Sequence, residues 1–203
     1  MGSDRVGPEG EASRPREIAV PLADGFEETE AVAVVDVLRR AGLKVTTLAL
    51  GPGPVTGSHG IALVPDAVID EVDLRGFDAV VLPGGMPGTV NLMGDRRVLG
   101  LVQRLASDGR PVAAICAAPR VLAAAGVVEG LDVTSHPSVR EMLPGATVVD
   151  APRVVVAHRE GGGAVLTSQG PGTALEFGLE LVRQWVSAER AEELREAMLV
   201  VPS

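Results

Sequence analysis

The chain has one cysteine, Cys116, and its setting is that of a reactive thiol. It follows the apolar run from Pro111 to Ile115, which reads as a strand, and precedes AAPRVLAAAG, whose small residues suit a closely packed helix. A strand passing into a helix without a loop makes a tight turn that lifts one side chain above the carboxyl edge of a sheet, as in a nucleophile elbow. Backbone N–H groups at the start of the helix favour a thiolate, and Ala117 N–H is placed to hold an oxyanion. The competing reading is a buried structural cysteine, which is common for this residue type.

Three other groups offer partners for such a thiol. Gly84-Gly85 follows a second apolar run, Phe77 to Leu82, and without side chains its backbone N–H groups can approach a ligand. A plain βα turn is the alternative, and the G-x-G-x-x-G spacing of a dinucleotide site is absent. Glu27, Glu28 and Glu30 open the first long helix, where the dipole favours carboxylates and a solvated face is the stronger expectation. One of them turned inward beside Cys116 would have a raised pKa and could shuttle protons, but spacing does not choose among the three. His136, in Val-Thr-Ser-His-Pro, could activate a thiol or move protons, although a lone loop histidine is more often structural or solvated. His59 and His158 lie in less suggestive settings.

These residues need a scaffold, and the chain supplies strand-like runs alternating with helical patterns, the signature of βαβ units around a mostly parallel sheet. Runs at Ile18 to Leu22, Lys44 to Leu50, Phe77 to Leu82 and Pro111 to Ile115 read as strands. Residues 27–41 carry apolar positions at Ala31, Val34, Val35 and Leu38, with Gly42 ending the helix. Residues 51–66 read as turns around a short hairpin decorating a sheet edge. Further helices are predicted at Val98 to Ala106, briefly at 138–143, at Thr173 to Val186 and at Ala188 to Met198. A strand is predicted at Asp132 to Thr134, and a hairpin joins Val154 to His158 with Val165 to Thr167.

Composition narrows the function classes. Hydrophobic residues make up 46% of the chain but fall in short runs, none near the roughly 18–20 residues that cross a bilayer, so no membrane role is expected. A formal charge of -9 and 2% aromatic residues argue against nucleic acid as a partner. A lone cysteine cannot form an internal disulfide, and three scattered histidines suggest no zinc cluster, so no metal site is expected and the cytoplasm fits best. Residues 1–15, rich in Gly, Pro, Ser and charge, read as a disordered leader, and 16–203 as a single domain.

Taken in order, Asp24-Gly25-Phe26-Glu27-Glu28-Thr29-Glu30, Val35 to Gly42, Val81-Leu82-Pro83-Gly84-Gly85, Ala113-Ala114-Ile115-Cys116-Ala117, Val133-Thr134-Ser135-His136-Pro137 and Leu166 to Thr173 resemble the DJ-1/ThiJ/PfpI superfamily. The resemblance is closest to the branch that holds Parkinson disease protein seven and its bacterial relatives. It implies a flavodoxin-like sandwich, usually a homodimer, with the cysteine near the subunit interface. It further implies Cys116 as nucleophile, Glu30 as the glutamate beside it, His136 as the nearby histidine, and Gly84, Gly85 and Ala117 around the oxyanion. His59 stands where animal members have an arginine at the pocket, and Gln169 replaces another. The activity implied is a cofactor-independent glyoxalase, or a deglycase acting on glycated substrate. A cysteine-based oxidative-stress sensor or chaperone, and a specialised carbonyl- or isonitrile-processing enzyme, are the rival readings.

Overall fold

In the computed structural model, which describes residues 15–201, eleven strands and six α-helices alternate along the chain. The expected leader lies outside the described residues except for Pro15. In chain order, β1 (Glu17–Leu22), α1 (Glu28–Arg40) and β2 (Lys44–Ala49) form the first βαβ unit, and β3 (Val55–Thr56), β4 (Ala62–Leu63) and β5 (Ala67–Val68) follow. Next come β6 (Ala79–Leu82), α2 (Gly88–Gly94), α3 (Arg96–Ser107), β7 (Val112–Ile115) and α4 (Pro119–Ala124). The chain closes with β8 (Asp132–Val133), β9 (Thr147–Val148), β10 (Val154–His158), β11 (Ala164–Ser168), α5 (Ala174–Trp185) and α6 (Ala188–Ala197).

Seven strands build one sheet in the order β10-β11-β7-β6-β1-β2-β5. Every pairing is parallel except β10 with β11, the hairpin read from the sequence. The central strands are apolar on both faces because helices cover both. Val20, Leu22, Val81 and Ile115 point into one core with α1, α5 and α6, while Ala19, Val80, Leu82 and Ala114 point into the other with α3 and α4. Gly178 lets α5 lie close to α1, since a Cβ there would come 3.0 Å from Val37 Cβ. The result is the mostly parallel α/β sheet that the alternating pattern implies, in the flavodoxin-like sandwich that the resemblance implies.

Local signals account for the helix ends. Gly42 adopts φ +85° just beyond α1, and Asp36 and Arg40 pair at 2.8 Å on its outer face. Asp95 caps α3, its side chain accepting from Arg97 N at 2.8 Å.

One expectation needs correction, and two further features were not read from the sequence. The residue 51–66 region does not simply decorate the sheet edge: the edge is β5, whereas β3 and β4 form a separate antiparallel pair folded over the start of α1. α2 was not expected, because Gly88-Thr-Val-Asn-Leu-Met-Gly94 is bounded by glycines and buries little apolar surface beyond Leu92. The strand at Asp132 stays outside the main sheet, pairing with β9, and the brief helix beyond it is a 3-10 segment over Pro137–Met142.

Candidate active site

Cys116 sits directly after β7 with φ +63°, in the left-handed region that a side-chain-bearing residue rarely occupies. The conformation is fixed from both sides: Cys116 N–H donates to Ser168 O at 3.0 Å, and its carbonyl accepts from His136 N–H at 2.9 Å. Such strain, held by surrounding structure, points to function more than to a packing cysteine. The side chain is half-buried, and no disulfide partner exists in the chain.

The three glutamates do not form a solvated helix face. Glu27, Glu28 and Glu30 are all buried. Glu27 caps α1, its Oε2 accepting from Glu30 N–H at 2.7 Å. Glu30, with no exposed surface, turns toward the thiol; its Oε2 accepts from Gly84 N–H at 2.8 Å, and Oε1 has no nitrogen or oxygen partner. Glu28 points elsewhere, under the β3–β4 turn, where it accepts from His59 N–H at 2.7 Å and Ile61 N–H at 3.3 Å.

Gly84 and Gly85 occupy a space that no side chain fits. A Cβ on Gly84 would lie 2.7 Å from Cys116 Cβ and 2.9 Å from Glu30 Oε2. On Gly85, whose φ is +90°, it would meet Glu27 N at 2.4 Å. The N–H groups of Gly85 and Ala117 both stabilise negative charge on the Cys116 sulfur, so two backbone donors converge where a thiolate, or an oxyanion attached to it, would sit.

Cys116 and Glu30 titrate as a pair. Burial, more than any other influence, raises the Glu30 carboxyl from 4.5 to about 7. Burial and then the Glu30 negative charge push the Cys116 thiol up to about 12, against the pull of Gly85 and Ala117. The two shifts describe one proton held between two acidic groups: a thiolate is favoured when Glu30 keeps the proton and disfavoured when Glu30 is ionised.

His136 is brought close through its backbone, and its exposed ring is directed to Ser138, with Nδ1 2.8 Å from Ser138 Oγ and accepting from Ser138 N–H at 3.3 Å. That bond leaves the ring proton on Nε2 in the neutral form. His59 is 70% exposed at its side chain and pairs with Glu28 at 3.0 Å, which raises its pKa through that hydrogen bond. Gln169 is anchored to Asp150 O at 2.7 Å and Thr134 Oγ1 at 3.2 Å. Among the described residues, Glu27, Glu28 and His59 form one group with metal-ligand spacing, but their carboxylates are already engaged by backbone N–H groups. Sequence reasoning overlooked the anchoring role of Glu28; no local pattern foretells that a distant hairpin covers it.

Residues 16–184 match the DJ-1/PfpI family. The chain belongs to that family. It is 41% identical to protein dj-1beta of Drosophila melanogaster over 89% of this chain and 95% of that one. The crystal structure of the fly protein superposes with a TM-score of 0.85 at 39% identity, covering 92% of this chain and 99% of that chain. Protein DJ-1 homolog B of Arabidopsis thaliana is 37% identical over 91% of this chain, which spans only 41% of the plant protein. Deglycase TK1284 of Thermococcus kodakarensis is 36% identical over 68% of this chain and 84% of that one. No helix among the described residues of this DJ-1/PfpI member is long and apolar enough to cross a membrane.

Proposed function

We propose that this DJ-1/PfpI protein is a cofactor-independent glyoxalase that converts methylglyoxal or glyoxal to a hydroxy acid, with Cys116 as nucleophile. One observation carries the proposal: the strained Cys116 thiol lies between the buried Glu30 carboxyl and the two backbone donors of Gly85 and Ala117. The Glu30 carboxylate takes the Cys116 S–H proton; the thiolate adds to the aldehyde carbon, and the new C–S bond places the carbonyl electrons on oxygen, beside the two N–H groups. Glu30, holding the proton, delivers it to that oxygen. As a carboxylate it then removes the hydrogen on the same carbon, giving an enediolate; the hydroxyl proton passes to the neighbouring oxygen, and Glu30 returns its proton to the neighbouring carbon. The product is a thioester, which water hydrolyses to free the thiol. Overall, one methylglyoxal and one water give one lactate, with no oxidant or reductant.

His136 is assigned as the second acid/base for thioester hydrolysis, acting through Nε2. Gly84 is assigned to orient Glu30, and His59, on the β3–β4 turn, to substrate binding. We further assign a homodimeric state and a cytoplasmic location. Loss of turnover in purified, folded Cys116→Ala tests the proposal.

Protein deglycation is a second use of the same residues, favoured by the similarity to the Thermococcus deglycase. A preformed, purified adduct assayed without free methylglyoxal separates the two activities. A sensor role would use the same pair differently, with protonated Glu30 donating to an oxidised Cys116; intact mass after mild peroxide, with no gain of two oxygens at Cys116, argues against it.

A further inference from the structure

The segment Asp24 to Glu28 lies between two loops and is bonded to both. On one side, Gly25 N–H donates to Thr56 O at 2.7 Å, Ser58 N–H to Phe26 O at 2.7 Å, and Thr56 N–H to Asp24 Oδ1 at 2.9 Å. On the other, Glu27 N–H donates to Gly84 O at 2.9 Å and Gly88 N–H to Gly25 O at 3.1 Å. The packing is tight enough that a Cβ on Gly85 or Gly88 would collide with the backbone of residues 25–27. The oxyanion loop is therefore seated on this segment.

Glu28 locks the segment from the far side. It is 5% exposed, and its carboxylate gathers His59 N–H, Ile61 N–H, His59 Nδ1 and Ser58 Oγ. Gly57 has no room for a side chain because Glu28 fills that space, within 2.3 Å of where a Cβ would stand. Removing the carboxylate would take the acceptor from two part-buried N–H groups and free the turn over residues 57–61.

We propose that Glu28 is a positioning residue that fixes the Gly84–Gly85 oxyanion loop through the 24–28 segment, without touching substrate. The part of this that concerns turnover rests on the glyoxalase proposal; the part that concerns loop geometry does not. Amide hydrogen exchange of the full chain reads the geometry. In Glu28→Ala, amides of residues 84–88 should exchange about tenfold faster or more, while those of β7 keep their wild-type rates. In the same variant kcat for methylglyoxal should fall about tenfold or more with KM within about threefold, since misplaced donors weaken the transition state more than substrate binding. Glu28→Gln retains an acceptor for both backbone N–H groups and should restore exchange protection and most of kcat. If alanine prevents folding, Glu28→Asp, one methylene shorter, carries the same comparison. Unchanged exchange at 84–88 in a variant whose residues 57–61 have loosened would overturn the proposal. So would failure of Glu28→Gln to restore both. Wild-type protein that does not turn over methylglyoxal would remove the glyoxalase proposal and leave the exchange result to decide the role of Glu28.

Discussion

In the proposed mechanism a single proton passes between Cys116 and Glu30, and the raised Glu30 carboxyl leaves a signature in stability as well. The Glu30 carboxyl binds its proton more tightly in the folded chain, at about 7 against 4.5 ordinarily. The folded state therefore holds the extra proton between these values, and stability from this group is complete below 4.5 and lost as pH rises through 7. The loss is on the order of 3 kcal/mol. Glu30→Gln, which cannot ionise, should match wild type in stability near pH 4 and exceed it at pH 8, measured by urea unfolding at both values; an equal difference at the two would contradict the assignment. The same variant should lower kcat by about a hundredfold or more, because Gln accepts from Gly84 N–H but moves no proton. The tight turn that carries Cys116 was legible from its strand-to-helix setting, whereas its reactive role rested on the family resemblance. Glu30 was half legible: it lies four residues before Val34, on the stripe that faces the core, yet the preference of carboxylates for helix starts pointed outward. Glu28 lies at the flank of that stripe, three residues before Ala31, and its burial depends on a hairpin some thirty residues away.

At the scale of elements, the site is an agreement between the end of β6, the start of α1 and the turn after β7, each held at backbone distance. Gly84→Ala should disrupt all three, since the added methyl meets Cys116 Cβ and Glu30 Oε2 at once. A destabilisation on the order of 2–3 kcal/mol, read from denaturant midpoints, and loss of turnover are expected together. Gly178→Ala strains only the α1–α5 contact, so it should cost stability, on the order of 1 kcal/mol, while leaving kcat near wild type. All strands of the central sheet but the two-residue edge strand β5 were readable, because apolar runs bounded by glycine and proline have one outcome when both faces are covered. The placement of β3 and β4 was not, because two-residue strands carry no periodicity. They are positioned by side chain to backbone bonds from Asp24 and Glu28. The short α2 was hidden for a related reason: a seven-residue helix with one large buried side chain shows no stripe.

For the whole molecule, one face remains apolar and open. Val32 on α1 is 49% exposed, and Ile61 and Val64 beside β4 are 57% and 83% exposed. With Val35 and Leu63 the valines border a groove of about 270 Å³. This face, next to the hairpin that braces the active site, suits the proposed homodimer, since adjoining exposed apolar side chains favour association. Sedimentation should give twice the chain mass for wild type and a shift toward monomer for Val64→Glu; a monomeric wild type at micromolar concentration would rule the dimer out. The most direct test of the proposed chemistry is the conversion of methylglyoxal to lactate by purified wild type and by folded Cys116→Ala. Wild type should produce lactate catalytically, and the variant at a rate lower by about a hundredfold or more; lactate formation by Cys116→Ala at the wild-type rate would contradict a cysteine nucleophile.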